Sequence, residues 1–305
     1  MPAHWLRSVA RTARVLSLAA CASEWRLPAS CATVSDALRY ASKAFSDAGV
    51  SEPDVSAQYL LARAVGLRSR GLLRTEAGSA LSEEARAAFT ASCALRLNRV
   101  PVQYILGDWD FHLLTLKVAP PVLIPRPETE ELVEHVLGAY RRSGELAILP
   151  PTTRFLDVGA GTGAIGLALL HQTSSTLCDA VDVSEAAVAL ARENAGALGL
   201  ESRYTVSLEP NGIAGFAETF ARGGHGKGLG GGGGAHGGGV YDVIVSNPPY
   251  IPSKDMAGLE PEVVRYEDEG ALCGGGDGMD VCMCVGVGVH VRVCGRACSR
   301  ACACV

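Results

Sequence analysis

The chain has 305 residues, about two domains' worth, and 48% of them are apolar, enough to bury a sizeable core. Charged residues make up 19% and the formal net charge is −5, which excludes a global basic field for docking nucleic acid. No apolar run in the sequence reaches the length that spans a bilayer as a helix, so no membrane-spanning helix is expected. The totals of 36 Gly and 11 Cys are local in origin. Glycine fills 12 of the 17 positions from Gly223 to Gly239, and 7 of the cysteines fall between Cys273 and the end. The four remaining cysteines agree with reduced thiols in an intracellular protein.

No acidic residue precedes Glu24, while Arg7, Arg11 and Arg14 sit among Ala, Ser, Leu and Val. An arginine-rich, acid-free, amphipathic start is the pattern of a mitochondrial or chloroplast transit segment, so residues 1–30 are set aside as one. A secretory signal fits less well, because the apolar stretch Val15–Ala22 is short.

Residues 31–99 read as a small helical bundle. In the first helix Ala37, Leu38, Ala41, Ala44 and Phe45 recur at helical spacing, with Ser35 as the expected N-cap and Gly49 as the stop. A second helix starts near Pro53 and ends before Gly66. A third starts at Ser82, with Glu83 and Glu84 in the first turn, where the helix dipole favours negative charge. Such a bundle serves either to recognise a macromolecular partner or as a packing appendage, and the helices alone do not separate these. Residues 100–135 then change period to short β-like runs and a proline-studded connector. Pro125 and Pro127 fix the backbone at the start of a further helix, and Glu128, Glu130 and Glu131 crowd its first turn.

Residues 136–280 carry the clearest signal. Phe155, Leu156 and Val158 read as a buried parallel strand, and Gly159, Gly161 and Gly163 as a turn into a helix. Glycines let backbone approach a ligand closely, and open α/β sheets bind ligands at the carboxyl ends of their strands. Asp182 falls 19 residues after Gly163, at the end of the next strand, where an acid can accept hydrogen bonds from both hydroxyls of a ribose. The other reading of Asp182, a cap on the next helix, competes with Ser184 for that role. Ser202–Glu209 reads as a third strand. A fourth ends in Asn247-Pro248-Pro249-Tyr250. The glycine spacing suits a dinucleotide oxidoreductase or a methyltransferase, whereas a strand ending in Asn-Pro-Pro-Tyr suits methylation of a planar, weakly nucleophilic nitrogen.

With these motifs in view, the chain resembles the class I S-adenosylmethionine-dependent methyltransferases. More narrowly it resembles the HemK/PrmC-type glutamine N5-methyltransferases of peptide-chain release factors. The resemblance covers roughly residues 34–280 and rests on "RVPVQYILGDWDF", "LIPRPETEELVE", "FLDVGAGTGAIGLALL", "AVDVSEAAVALARENA" and "VSNPPYIP", with "EVVRYEDEGALCGGGDGMD" as a weaker trailing piece. It implies an α/β fold: a Rossmann-like methyltransferase sheet behind a small N-terminal helical bundle that helps engage the release factor. It implies S-adenosylmethionine as cofactor, and a release factor's Gly-Gly-Gln loop as protein substrate. Gly159, Gly161 and Gly163 would line the cofactor, Asp157 would contact its amino-acid end, and Asp182 would hold its ribose. Asn247 Oδ1 and the Pro248 carbonyl would accept the two N–H groups of the glutamine amide, with Tyr250 packed against its plane; Pro249 would stiffen the loop and belong to the substrate-binding set, and Asn247 would also touch the cofactor. Arg126, Pro127 and Glu128 match the family's proline-rich segment, with Arg126 read either as a substrate contact or as a salt bridge at a helix start. No metal, membrane or direct nucleic-acid partner is expected, and the enzyme is expected to be a monomer.

Three stretches depart from the family pattern. The loop after the third strand offers Glu209 and Phe216 where an acid and an aromatic residue usually flank the adenine. Gly223–Gly239 reads as a disordered insertion, and no Gly-Lys-Ser/Thr follows to make it a phosphate cradle. After Asp280 the family continues with a helix and three more strands, whereas residues 281–305 are a low-complexity Val/Cys tail. Its codon-repeat character points to an aberrant reading frame and a sheet cut off after its fourth strand. The tail's cysteine spacings lack the two-residue gap of zinc knuckles. Two other functions stay open at this level. One is an adenine-N6 nucleic-acid methyltransferase, disfavoured by 6% aromatics and negative charge. The other is a catalytically dead product.

Overall fold

The computed structural model describes residues 25–141, 153–211 and 241–280. The expected transit segment up to residue 24, Phe216, the glycine run and the 281–305 tail lie outside the described residues. Contacts divide the chain into two compact units. One runs up to Asp108 and includes Pro261–Tyr266; the other holds Trp109–Glu260 and the chain from Glu267 onward.

The first unit is built from α1 (Val34–Asp47), α2 (Pro53–Ala64), α3 (Glu83–Leu97) and α4 (Val102–Leu106). The cap of α1 is Thr33, not Ser35. Thr33 accepts from the Asp36 N–H and Asp36 accepts from the Thr33 N–H, a reciprocal capping box that leaves Ser35 inside the first turn. Ser82 caps α3 by accepting from the Ala85 N–H at 3.2 Å. The one-turn helix α4 falls where β-like runs were expected, and Gly107 in the left-handed region stops it. Phe45, Leu60, Leu61, Phe89 and Cys93 form the centre of this unit's core.

The short helix Pro261–Tyr266 brings a carboxylate into that unit. Glu262 is buried and accepts from Arg96 Nη1 at 2.8 Å and Arg99 Nη2 at 2.7 Å. Burial pushes its carboxyl up, but the hydrogen bonds from the two guanidinium groups outweigh it, and the net position is below the ordinary glutamate range. A buried charge needs such partners, because its own desolvation is costly.

The second unit opens with a two-stranded sheet of β1 (Asp108–Phe111) and β2 (Leu114–Lys117), followed by α5 (Pro127–Arg141). The main sheet then alternates β3 (Arg154–Val158), α6 (Ala164–Gln172), β4 (Leu177–Asp182), α7 (Glu185–Ala197), β5 (Tyr204–Leu208) and β6 (Val243–Ser246). Its order is β5-β4-β3-β6, with every pair parallel and Asp157 facing Ala180 on one side and Val245 on the other. Phe155, Leu167, Leu169, Ala180 and Val206 belong to its core. Buried Asn194 ties three parts together: its Oδ1 accepts from the Lys117 N–H at 2.8 Å, and its Nδ2 donates to the carbonyls of Lys117 and Thr162. Among the described residues no helix is long and apolar enough to cross a membrane. The turns after β3, β4 and β6 all leave the carboxyl edge of one parallel sheet, so sheet topology alone gathers residues 159–163, 182–184 and 247–250 at that edge.

Candidate active site

The glycine turn after β3 is held against β4: the N–H groups of Gly159 and Ala160 both donate to the Val181 carbonyl, at 2.9 and 3.1 Å. Gly159 and Gly161 have φ of 79° and 55°, and a Cβ at either would meet nothing within 4 Å. These two therefore present bare backbone to open space. Gly163 does not. At φ 82° it starts α6, and a Cβ there would lie 2.9 Å from Leu167 Cδ1 and 3.1 Å from the Tyr204 hydroxyl. Gly163 has a packing role: it lets helix, strand and turn close up.

Asp157 is also turned inward. Its side chain is fully buried, its Oδ2 accepts from the Gly166 N–H at 3.0 Å, and Oδ1 has no hydrogen-bond partner among the described residues. It braces β3 to the first turns of α6. A Cβ on Gly166 would stand 2.8 Å from Cys178 Sγ, 2.9 Å from the Tyr204 ring and 3.0 Å from this same oxygen. Burial, with a smaller contribution from the Asp182 charge, pushes the Asp157 carboxyl up to about 7 against the Gly166 hydrogen bond.

Asp182, at the end of β4, is the acid that does face the turn. Its Oδ2 accepts from the Gly161 N–H at 2.8 Å and its Oδ1 from the Ser184 N–H at 2.9 Å. Burial raises its carboxyl above the usual range, while these backbone hydrogen bonds pull it down. Ser184, not Asp182, caps α7, accepting from the Ala187 N–H at 3.3 Å. A carboxylate has about four acceptor sites, so Asp182 fixes the loop and still retains capacity for a hydroxyl donor. The Glu209 N–H donates to the Asp182 carbonyl, which brings that loop to the same edge.

The other half of the site follows β6. Asn247 donates from Nδ2 to Thr129 Oγ1 at 3.1 Å, and the preceding Ser246 hydroxyl is buried on the Val158 carbonyl at 2.7 Å. A concave pocket is lined by Leu123, Arg126, Asn247, Pro248, Tyr250 and Leu272, among others. The structure thus gathers Arg126, Asn247, Pro248 and Tyr250, and it leaves Tyr250 more than half exposed. Both readings of Arg126 apply: it lines the pocket, and its Nη2 donates to Glu267 Oε1 at 2.6 Å.

The sequence does not single out Glu267. Its carboxylate is buried, and Oε2 also accepts from the Ile124 N–H at 3.1 Å. Next to it the Asp268 N–H donates to the Pro121 carbonyl at 2.8 Å, so residues 267–268 clasp the proline-rich segment. The same strap continues under the Asn-Pro-Pro-Tyr turn, where the Ile251 N–H donates to the Leu272 carbonyl at 3.0 Å and the Gly274 N–H to the Ile251 carbonyl at 2.9 Å. A Cβ on Gly274 would stand 2.6 Å from the Pro249 carbonyl oxygen, and one on Gly278 2.3 Å from that of Tyr250. Pro249 therefore faces the strap, while its neighbours face the pocket. The trailing glycine-rich motif was legible as a pattern, but the surface it packs on was not. Among the described residues no group of His, Cys, Asp and Glu is arranged to hold a metal.

Two family models match the chain, each within one of the two units. The PrmC N-terminal domain family matches residues 36–107, and the methyltransferase small domain family matches residues 145–216. The chain is 37% identical over 264 residues to the human MTRF1L release factor glutamine methyltransferase, covering 85% of this chain and 73% of the human protein. It is 36% identical over 263 residues to the release factor glutamine methyltransferase of Cereibacter sphaeroides, covering 86% and 82% of the two chains. With that of Rhodospirillum rubrum it shares 37% over 233 residues, 76% of this chain and 62% of the relative.

Two substitutions test this geometry. Gly278→Ala meets the Tyr250 carbonyl at a φ of 85° and should destabilise the protein by about 2–3 kcal/mol in urea unfolding. Gly138→Ala, in a helix with nothing within 4 Å of the new carbon, should be neutral or stabilising by up to about 1 kcal/mol. Equal effects would show that the strap does not depend on that approach. For Asp157, the folded state holds its proton more tightly than the unfolded chain, so its contribution is most favourable in acid and is lost as pH rises toward about 7. Relative to Asp157→Asn, the wild type should lose on the order of 2–3 kcal/mol between pH 5 and pH 8, and parallel pH profiles would contradict the assignment.

Proposed function

The chain belongs to the release factor glutamine methyltransferase family, and we propose that it methylates the side-chain nitrogen of a glutamine in a peptide-chain release factor. The observation that carries this reading is the placement of Asn247. Its amide stands at the carboxyl end of β6, in a pocket with the Pro248 backbone, on the sheet edge that also carries the open glycine turn and Asp182. The relatives' shared substrate class supplies glutamine as the amide, and the Gly-Gly-Gln loop is the form in which the sequence resemblance presents it.

The residues present suit S-adenosylmethionine. Gly159 and Gly161 leave room that a side chain would fill, and Asp182 keeps acceptor lone pairs beside them. When bound, this cofactor supplies a methyl group on a positively charged sulfur. Asp182 would hold ribose hydroxyls, with the Gly159 and Gly161 backbone beside them.

The protein's own task is to prepare a poor nucleophile. An amide lone pair is delocalised into its carbonyl, so the nitrogen has to be held and aimed. Asn247 Oδ1 and the Pro248 carbonyl accept its two N–H groups, which fixes the nitrogen and stabilises positive charge developing on it. Pro248 and Pro249 hold their φ angles, so these acceptors are ordered before substrate arrives. The exposed Tyr250 ring covers one face of the planar amide. The nitrogen sheds its proton after attack, which is why His and Cys are not needed at this position.

Asn247→Ala should lower kcat for methyl transfer to a release factor by on the order of 100-fold while S-adenosylhomocysteine binding persists in calorimetry. A variant as fast as the wild type would refute the assignment. The arginine-rich, acid-free start supports an organellar destination. A fluorescent protein fused behind residues 1–30 should accumulate in mitochondria or chloroplasts, and diffuse cytosolic signal would count against it.

A further inference from the structure

An asparagine side chain has almost the same shape either way round. Turning its amide by 180° puts an NH₂ group where the oxygen stood, and so replaces an acceptor by donors. At Asn247 that exchange would be ruinous for an amide substrate, because N–H would then face N–H. The site therefore needs a group that selects one orientation.

Thr129 is placed to do so. It is the third residue of α5, buried at 5% exposure, and its Oγ1 lies 3.1 Å from Asn247 Nδ2. Its backbone N–H donates to the Arg126 carbonyl at 3.0 Å, so the residue is anchored in the first helical turn. As a β-branched residue it has few χ1 options, so the hydroxyl is held rather than swept through a range. Arg126 on the same turn is fixed separately, through Glu267.

We propose that Thr129 is the positioning residue of the amide site: its hydroxyl accepts the Asn247 Nδ2 proton and thereby presents Oδ1 to the substrate amide. This rests on the reading above, in which Asn247 Oδ1 is a substrate acceptor. Thr129 touches neither substrate nor cofactor in this role and acts through Asn247. A hydroxyl can also donate, and then Oδ1 would be consumed and the site reversed, so the direction of this one hydrogen bond decides whether the pocket accepts an amide.

The test is steady-state methyl transfer by the full chain, with S-adenosylmethionine and a glutamine-bearing release factor, alongside calorimetry with S-adenosylhomocysteine. Thr129→Val keeps the shape and removes the hydroxyl. It should lower kcat by roughly 10-fold or more, since a preorganised group at the reacting centre acts mainly on the chemical step. The substrate KM and the S-adenosylhomocysteine affinity should each move by less than about 3-fold, and Thr129→Ser should recover most of the lost rate. In an Asn247→Asp background, whose two oxygens leave no orientation to choose, Thr129→Val should cost no more than about 2-fold further. The proposal is overturned if Thr129→Val retains the wild-type kcat, if its loss appears as weakened cofactor binding, or if the hydroxyl matters as much with Asp at 247. Should Thr129→Val fail to fold in thermal melts, folded Thr129→Ser decides: a rate as low as that of Asn247→Ala overturns the proposal, and a near wild-type rate supports it. A wild-type rate in Asn247→Ala would instead remove the underlying reading, whatever Thr129 does.

Discussion

The site depends on backbone meeting backbone with no side chain between. Pro248 and Pro249 have no N–H, so the turn that carries the acceptors cannot be held by an ordinary hydrogen-bonded ladder. Its attachment begins at Ile251, whose N–H and carbonyl both pair with the strap. It is completed by Gly274 and Gly278, which approach the Pro249 and Tyr250 carbonyls closer than any Cβ allows. The rigidity that preorganises Pro248 therefore comes with a restriction on residues nearly thirty positions later. The same strap, through Glu267 and Asp268, holds the proline-rich segment that forms the opposite wall.

Three acids of this unit have three environments and three tasks. Asp157 is sealed between β3 and α6, and its carboxyl is driven up by burial. Asp182 faces the turn and is fixed by two backbone N–H groups, which leaves acceptor capacity at the sheet edge. Glu267 is buried but shares its charge with Arg126 and an amide, so it serves as a clasp. Residue type is the same or nearly so in all three. What differs is the geometry of donors around each carboxylate.

Much of the frame was legible because its signals are local. The four strands of the main sheet, the helices that follow the first two, and Asp182 at a strand end are all where apolar runs, glycines and spacing put them. What was not legible has a common cause. A strand buried on both faces gives no alternation, so the sequence does not say whether Asp157 points to a ligand or into the core. Three glycines in one turn look alike, yet only Gly163 packs against Tyr204, a residue from a distant strand. Thr33 and Ser35 are both good caps, and the choice falls to Thr33 because Asp36 completes a reciprocal pair with it. Thr129 and Glu267 became visible only when the fold brought them to Asn247 and Arg126, across 118 and 141 positions of sequence.

The charge pattern at the amide end completes the physical argument. Arg126 is the charged side chain lining that pocket, and it is paired with Glu267. The acceptors offered to the substrate are a carboxamide oxygen and a peptide carbonyl, both neutral. Neutral acceptors orient an amide and favour developing positive charge without presenting an unpaired carboxylate that would have to be desolvated when substrate binds. The Glu267 carboxylate beside the pocket is committed to a guanidinium and an N–H. An Asn rather than an Asp at position 247 is therefore the residue the chemistry requires, and the cost of that choice is an amide whose direction has to be set by a neighbour.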